Sequence, residues 1–226
     1  MELQLEWTKI KYTKYNTGKF AVGGVDEAGR GSLFGPIIVA GICMNTSQQK
    51  ELRKIGIRDS KLLTPNQRRS LITRLVECSE SLCVCKLSPS VVDQAVIHTN
   101  LNLLEAEAMA VVIENILPST VIVDSCDVNP IRYRDSIMRF LPFQWRKNII
   151  SVHHAEKVSV AVAGASILAK VIRDYEISKI GKEYGEIGSG YPSDKKTIRF
   201  LQNWINNYSV APTFVRKSWK TMKRFI

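Results

Sequence analysis

At 226 residues the chain has the length of one large domain or two small ones, enough to bury about 70% of its unfolded surface. It carries 32 Lys and Arg against 21 Asp and Glu, a net charge of +11 and a sequence pI of about 9.5, while 45% apolar and 23% charged residues exclude disordered and fibrous classes. The longest apolar run, residues 33–44, holds 12 residues with a Gly-Pro pair inside it, well short of the ~20 that cross a membrane. The first fifteen residues include two Glu and no apolar leader core. The expectation is a cytoplasmic chain with no membrane partner.

In chain order, residues 20–25 and 37–44 read as strands, β-branched and interrupted by glycine. Thr64-Pro65-Asn66-Gln67 is a capping box with proline in the first helical position, opening a helix to about residue 78. Residues 82–87 read as a strand, and Ser88-Pro89 opens a short helix. Asn102 is expected to cap a helix to about residue 116. Residues 121–123 form a short buried strand ending at Asp124, Asn129-Pro130 opens a helix to about residue 141, and 148–152 is a further strand. A long helix covers 158–182, with Gly164, Ile167, Leu168, Val171 and Tyr175 on its apolar face. A glycine-rich turn leads to a helix over 195–206. Strands and helices mixed in this way predict an α/β core, a mixed central sheet flanked by helices. The expected division is residues 1–190 as the core domain and 191–226 as a basic, aromatic-rich helical extension.

The charge is concentrated at the C-terminal end. Residues 195–226 carry eight basic side chains and no acidic one, and from Tyr191 onward there are seven of the 18 aromatics. Cations interleaved with aromatic rings suit a polyanion with stackable bases, although Ile198, Leu201, Trp204, Ile205 and Tyr208 recur at helical spacing and are expected to be mostly core. The five cysteines are odd in number and match no disulfide ladder or paired CxxC zinc site. Reduced, mostly buried thiols agree with a cytoplasmic address.

In so basic a chain, carboxylates at abrupt structural positions are informative. Asp26-Glu27 follow an apolar strand and precede the glycine-rich bend Gly29-Arg30-Gly31. Adjacent strand residues face opposite sides, so Asp26 and Glu27 reach one site only if the backbone bends. Bare amides at Gly29 to Gly31 can approach a sugar or phosphate closely. Asp124 ends a buried strand, where α/β sheets present ligand groups. Asp174 lies on the long helix in a polar stripe with Ser166 and Lys170, at i, i+4 and i+8. Three Asp and one Glu on three predicted elements are of the kind that can together hold Mg²⁺ or Mn²⁺, and paired divalent ions organise phosphoryl chemistry. A solvated turn for Asp26-Glu27 and a surface Lys170–Asp174 pair are the plainer alternatives.

These segments resemble the motifs of type 2 ribonuclease H (ribonuclease HII), in family order. They are Val25-Asp26-Glu27-Ala28-Gly29-Arg30-Gly31 with Gly35-Pro36, Asp59-Ser60-Lys61-Leu62, Asn100-Leu101-Asn102 with Glu105, Val123-Asp124-Ser125, and the run from Ala165 to Asp174. Gly188-Ser189-Gly190-Tyr191-Pro192-Ser193-Asp194 and Val215-Arg216-Lys217-Ser218-Trp219-Lys220-Thr221 are similar to the archaeal and eukaryotic branch. Ala155-Glu156-Lys157 departs from the family's usual approach to the helical motif.

The resemblance implies an RNase H-like fold with a helical C-terminal extension. It implies an endoribonuclease that cuts the RNA strand of RNA–DNA hybrids, and DNA 5′ to embedded ribonucleotides, leaving 3′-hydroxyl and 5′-phosphate ends. It further implies two Mg²⁺ or Mn²⁺ ions on Asp26, Glu27, Asp124 and Asp174, with Gly29, Arg30 and Gly31 tracking the ribose 2′-hydroxyl. Tyr191 would stack at the RNA–DNA junction, and Lys61, Asn102, Ser166 and Lys170 complete the expected substrate contacts. The expected state is a monomer. A catalytically inactive hybrid-binding module and a catalytic subunit needing partner chains are the alternatives.

Overall fold

The computed structural model describes residues 8–13, 21–57, 64–143 and 148–225. Six strands form one mixed sheet in the order β1-β4-β3-β2-β5-β6. They are β1 (Thr8–Thr13), β2 (Val22–Ala28), β3 (Ile37–Met44), β4 (Ser81–Leu87), β5 (Thr120–Asp124) and β6 (Ile149–Val152). β1 through β4 pair antiparallel, whereas β5 and β6 run parallel to β2. The helices are α1 (Thr46–Lys54), α2 (Pro65–Glu77), α3 (Pro89–His98), α4 (Leu101–Ile116), α5 (Pro130–Phe140), α6 (Val160–Tyr184) and α7 (Lys195–Tyr208). Among the described residues no helix is long and apolar enough to cross a membrane.

The central strands are apolar on both faces because both are covered. Val25, Val39 and Cys85 pack with α3, α4 and α5; Ala40, Ile42 and Val84 pack with α6, α1 and α2. Two glycines let the helices close in. A Cβ on Gly24 would lie 2.1 Å from the Val162 nitrogen at the start of α6, and one on Gly41 would lie 2.3 Å from Cγ1 of Val112 on α4. The backbone of α6 therefore rests directly on β2, which fixes what stands above the strand's carboxylates.

Most predicted elements form near their predicted ends. The Thr64–Gln67 capping box is made in both directions. β2 runs on to Ala28, so Asp26 and Glu27 lie inside the strand, not after it. Asn100, not Asn102, caps α4: its side chain accepts from the Leu103 N–H, and Asn102 falls in the first turn. Tyr175 is exposed, and the i+4 row Ala165, Ala169, Arg173, Ile177 is buried in its place. β1 and α1 have no counterpart among the predicted elements.

The C-terminal segment packs onto the domain as a third cluster. Leu33, Phe34 and Ile177 meet Leu201, Phe214, Val215 and Met222. Phe34 meets Phe200 and Phe214 edge-on, with ring centroids 5.9 and 5.4 Å away, and Phe200 and Phe214 tilt against each other at 6.1 Å. Most aromatics of this segment are core or partly buried, as the helical spacing predicts, but Tyr208 is 60% exposed. Of the eight basic residues, Arg216 is fully buried and the other seven are exposed.

Candidate active site

Strand alternation distributes the first two acids. Asp26 pairs with Ala40 and faces α6; Glu27 pairs with Val39 and shares the α4 face with Val25. Val25 and Val123 are partners in the parallel β2–β5 pair, so Asp124 stands beside Asp26 on the α6 face. Asp124 Oδ1 accepts the Ala155 N–H at 2.8 Å. The segment that departs from the expected family pattern, Ala155–Lys157, is a 3₁₀ turn that thus anchors the strand-end aspartate.

Burial and mutual repulsion set the electrostatics. Asp26 is 6% exposed. Burial, Glu27 and Asp124 push its carboxyl well above the usual range, opposed by a hydrogen bond from Ser166 of α6. Glu27 is raised to about 7, first by burial and then by Asp124, with Arg30 opposing. Glu27 Oε2 is buried and has no hydrogen-bond partner. A buried carboxylate oxygen without a donor is costly, and repelling acids with a spare oxygen fit a hard divalent cation. That chemistry matches the expected Mg²⁺ or Mn²⁺.

Asp174 is placed differently. It lies two turns beyond Ser166 on α6, about 12 Å along the axis, and its Oδ1 accepts from Lys170 at 2.8 Å and from Arg173 at 3.3 Å. Among the described residues no group of three or more His, Cys, Asp or Glu side chains forms a ready-made metal cage. The structure brings Asp26, Glu27 and Asp124 into electrostatic contact and holds Asp174 with two cations further along the helix.

A cleft of about 420 Å³ opens beside these acids, lined by Glu27, Gly29 to Gly31, Arg68, Ser166, Lys170 and Tyr191. A second, of about 830 Å³, shares Lys170 and Tyr191 and contains Arg173 and Asp174. Gly29 has φ +89°, and a Cβ there would lie 2.8 Å from the Pro36 carbonyl oxygen. Gly31 is exposed, with nothing within 4 Å of an added Cβ. Arg30 ion-pairs with the fully buried Glu105 and donates to Asn102 Oδ1 at 2.7 Å. Asn102 in turn donates to Asp127 Oδ2 at 2.8 Å, and the hydrogen bond from Arg132 lowers Asp127 to about 2. Asn102 is thus a link holding Arg30. Lys61 lies outside the described residues.

Arg173 and Arg216 were not singled out by sequence reasoning. Arg173 is 2% exposed and donates to Ser32 Oγ at 2.7 Å and to the Ser189 carbonyl at 2.6 Å. Its guanidinium lies 4.4 Å from the Tyr191 ring centroid. It joins α6, the glycine bend and the Gly188–Tyr191 turn. The one signal in the sequence was an arginine in the row Ala165, Ala169, Arg173, Ile177, where an apolar residue is expected. Arg68, on α2 and half-buried, was also missed; arginines on polar helices are too common in sequence to mark a site.

The family model for ribonuclease HII matches residues 23–222. A ribonuclease HII of Cenarchaeum symbiosum is 43% identical over 199 residues, covering 88% of this chain and 95% of that one. The crystal structure of ribonuclease H2 from Pyrococcus horikoshii superposes with a TM-score of 0.85 at 38% identity, covering 91% of this chain and 97% of that one. An Archaeoglobus fulgidus RNase HII, solved as a PCNA:RNase HII complex, has a TM-score of 0.81 at 33% identity, covering 89% and 96%.

Proposed function

The chain belongs to the ribonuclease HII family, and from this premise we propose how its residues serve a type 2 ribonuclease H acting on RNA–DNA hybrids. Asp26, Glu27, Asp124 and Asp174 would hold two Mg²⁺ or Mn²⁺ ions. The observation that carries this reading is Glu27 Oε2, a buried oxygen without a donor beside two further carboxylates. When bound, such ions lower the pKa of an attacking water and stabilise the leaving oxygen.

The protein's own groups do the positioning. Ser166 holds Asp26 by a hydrogen bond, the Ala155 N–H holds Asp124, and Lys170 and Arg173 hold Asp174. Gly29 to Gly31 bring bare backbone to the cleft, where an amide can meet the ribose 2′-hydroxyl, the group that separates RNA from DNA. Tyr191 offers a ring to the sugar or base, stiffened by Arg173 beneath it. Seven exposed cations of the C-terminal segment face solvent and suit the phosphate backbone. We assign residues 191–226 to substrate binding on that basis; Phe200, Phe214, Trp219 and Phe225 of the segment serve packing. The five free thiols suit a cytoplasmic setting.

The test is a purified chain, Mg²⁺ or Mn²⁺, and a DNA duplex containing one ribonucleotide. The expected result is a single cut 5′ to the ribonucleotide, leaving 3′-hydroxyl and 5′-phosphate ends and stopped by a chelator. Cleavage by the lone chain identifies a self-sufficient enzyme. Silence until other chains are added identifies a subunit, and binding without cleavage under all conditions identifies an inactive module.

A further inference from the structure

Arg216 is 0% exposed, yet no carboxylate pairs with it among its hydrogen bonds. Burial, together with the nearby charge of Arg173, lowers it to about 9. Its Nε donates to the Gly35 carbonyl at 3.0 Å, its Nη1 donates to the Arg30 carbonyl at 3.0 Å, and Nη2 has no acceptor. Its guanidinium lies 4.9 Å from the Trp219 ring centroid. Asp93 fixes the adjoining backbone, accepting from the Lys217 and Ser218 amides at 2.9 Å each. Burying a cation on two carbonyls is an expensive way to hold a tail, since an apolar side chain would fill the same space at lower cost.

Of the two carbonyls it holds, that of Arg30 lies within the glycine bend and that of Gly35 lies just beyond it. Ser32 N–H closes the bend on the Gly29 carbonyl at 3.0 Å, and Arg173 holds Ser32 from the α6 side. Arg216 holds the other side. The carbonyl of Arg30 and the N–H of Gly31 belong to one planar trans peptide, so they point in opposite directions. With the oxygen turned to Arg216, the Gly31 N–H is turned away from it. Gly31 is exposed, lines the cleft, and its N–H donates to no backbone carbonyl among the described residues.

We infer that Arg216 is a positioning residue that sets ribose selectivity, by locking the Arg30–Gly31 peptide so that the Gly31 N–H is offered to the substrate. This rests on the cleft's being the hybrid-binding site. The C-terminal segment then does more than supply charge: through one buried arginine it shapes the part of the site that distinguishes the two sugars.

The experiment measures dissociation constants in an Asp124→Asn background with chelator present, so that no turnover occurs, for a duplex containing one ribonucleotide and for the all-DNA duplex. Arg216→Lys keeps the charge, but a single ammonium on a flexible stem replaces the rigid fork that spans both carbonyls. The expected result is about a tenfold loss of the ribonucleotide preference with the all-DNA constant changed less than twofold. Met222→Ala, which loosens the same segment's packing without touching the carbonyls, is expected to leave the preference intact. An unchanged preference in folded Arg216→Lys, or an equal loss in Met222→Ala, overturns the inference. Should Arg216→Lys fail to fold, Trp219→Leu loosens Arg216 while keeping its donors, and an unchanged preference there overturns it equally. A parent protein with no preference at all defeats the reading of the cleft itself, and the inference falls with it.

Discussion

Arg173 and Tyr191 are 18 positions apart, and the guanidinium of the first lies 4.4 Å from the ring centroid of the second. The contact is supported on both sides: Arg173 is pinned by Ser32 and Ser189, and a Cβ on Gly190 would lie 3.0 Å from its Nη2. Tyr191 is therefore a pre-set platform. Aromatic–base stacking contributes ~1–3 kcal/mol, so Tyr191→Ala is expected to lower kcat/KM on hybrid by about 10- to 100-fold. Tyr191→Phe keeps the ring and should stay within a few-fold of the parent. Steady-state cleavage of a labelled hybrid decides it; equal losses in both variants would assign the effect to the hydroxyl instead.

Asp124 gives a sharper separation of binding from chemistry. In Asp124→Asn the side-chain oxygen still accepts the Ala155 N–H, so the turn before α6 is kept while a negative charge beside Asp26 and Glu27 is removed. A ligand charge of this kind is worth several kcal/mol to phosphoryl chemistry, about a thousandfold in rate. Cleavage is expected to drop by that order, with hybrid affinity equal to or tighter than the parent's. Mg²⁺-dependent cleavage at the parental rate would remove Asp124 from the mechanism.

Glu27 predicts a pH dependence whose sign follows from its shift. Its carboxyl titrates at about 7 in the folded chain, against about 4.3 when unfolded. Between these values the folded state holds a proton that the unfolded state has released, so stability falls as pH rises through the window and levels off above it. Divalent cations require the deprotonated acid, so their stabilising effect grows over the same range. Thermal melts from pH 5 to 8, with chelator and with Mg²⁺, should show these opposite slopes. Glu27→Gln should flatten both slopes, leaving the part that belongs to the likewise raised Asp26, and coincident profiles for parent and variant would contradict the assignment.

The parts legible in the sequence were those with a short-range physical signature. The Thr64–Gln67 box, the proline-opened helices and the strand ending at Asp124 announce themselves through caps, breakers and apolar runs. The polar stripe Ser166–Lys170–Asp174 follows from helical period alone. β1 lacks such marks: Thr8–Thr13 carries two lysines in six residues. α1 does carry one, since Asn45 and Gln48 make a capping box as Thr64 and Gln67 do, but the helix it opens is polar and shows no apolar run to draw attention to it. What no local pattern could show is convergence. Arg216 meets the Arg30 carbonyl across 186 positions, and Arg173 meets Ser32 across 141. Gly24 read as one more strand glycine, although the backbone of α6 passes directly over it.

That approach yields the most severe structural prediction. β2 and α6 are in backbone contact at Gly24, where an added Cβ would sit 2.1 Å from Val162 N and 2.2 Å from the Ala161 carbonyl carbon. No rotamer change relieves a clash with backbone, so Gly24→Ala must lift the first turn of α6 off the sheet. Overpacking of a tight core costs 1–3 kcal/mol and more when backbone must move, so a loss of ~3 kcal/mol or more is expected, lowering Tm by about 6–12 °C for a chain of this size. The displacement is transmitted along α6, because Ser166 lies one turn beyond Val162 and hydrogen-bonds Asp26. Activity measured well below the melting temperature should therefore fall as well. Gly181→Ala is the comparison: it lies on the same helix, where the nearest atom to an added Cβ is 3.9 Å away, and it should leave both Tm and cleavage essentially unchanged. Equal melting temperatures for Gly24→Ala and the parent would mean that α6 does not rest on β2 as described, and the placement of Ser166 over Asp26 would have to be abandoned with it.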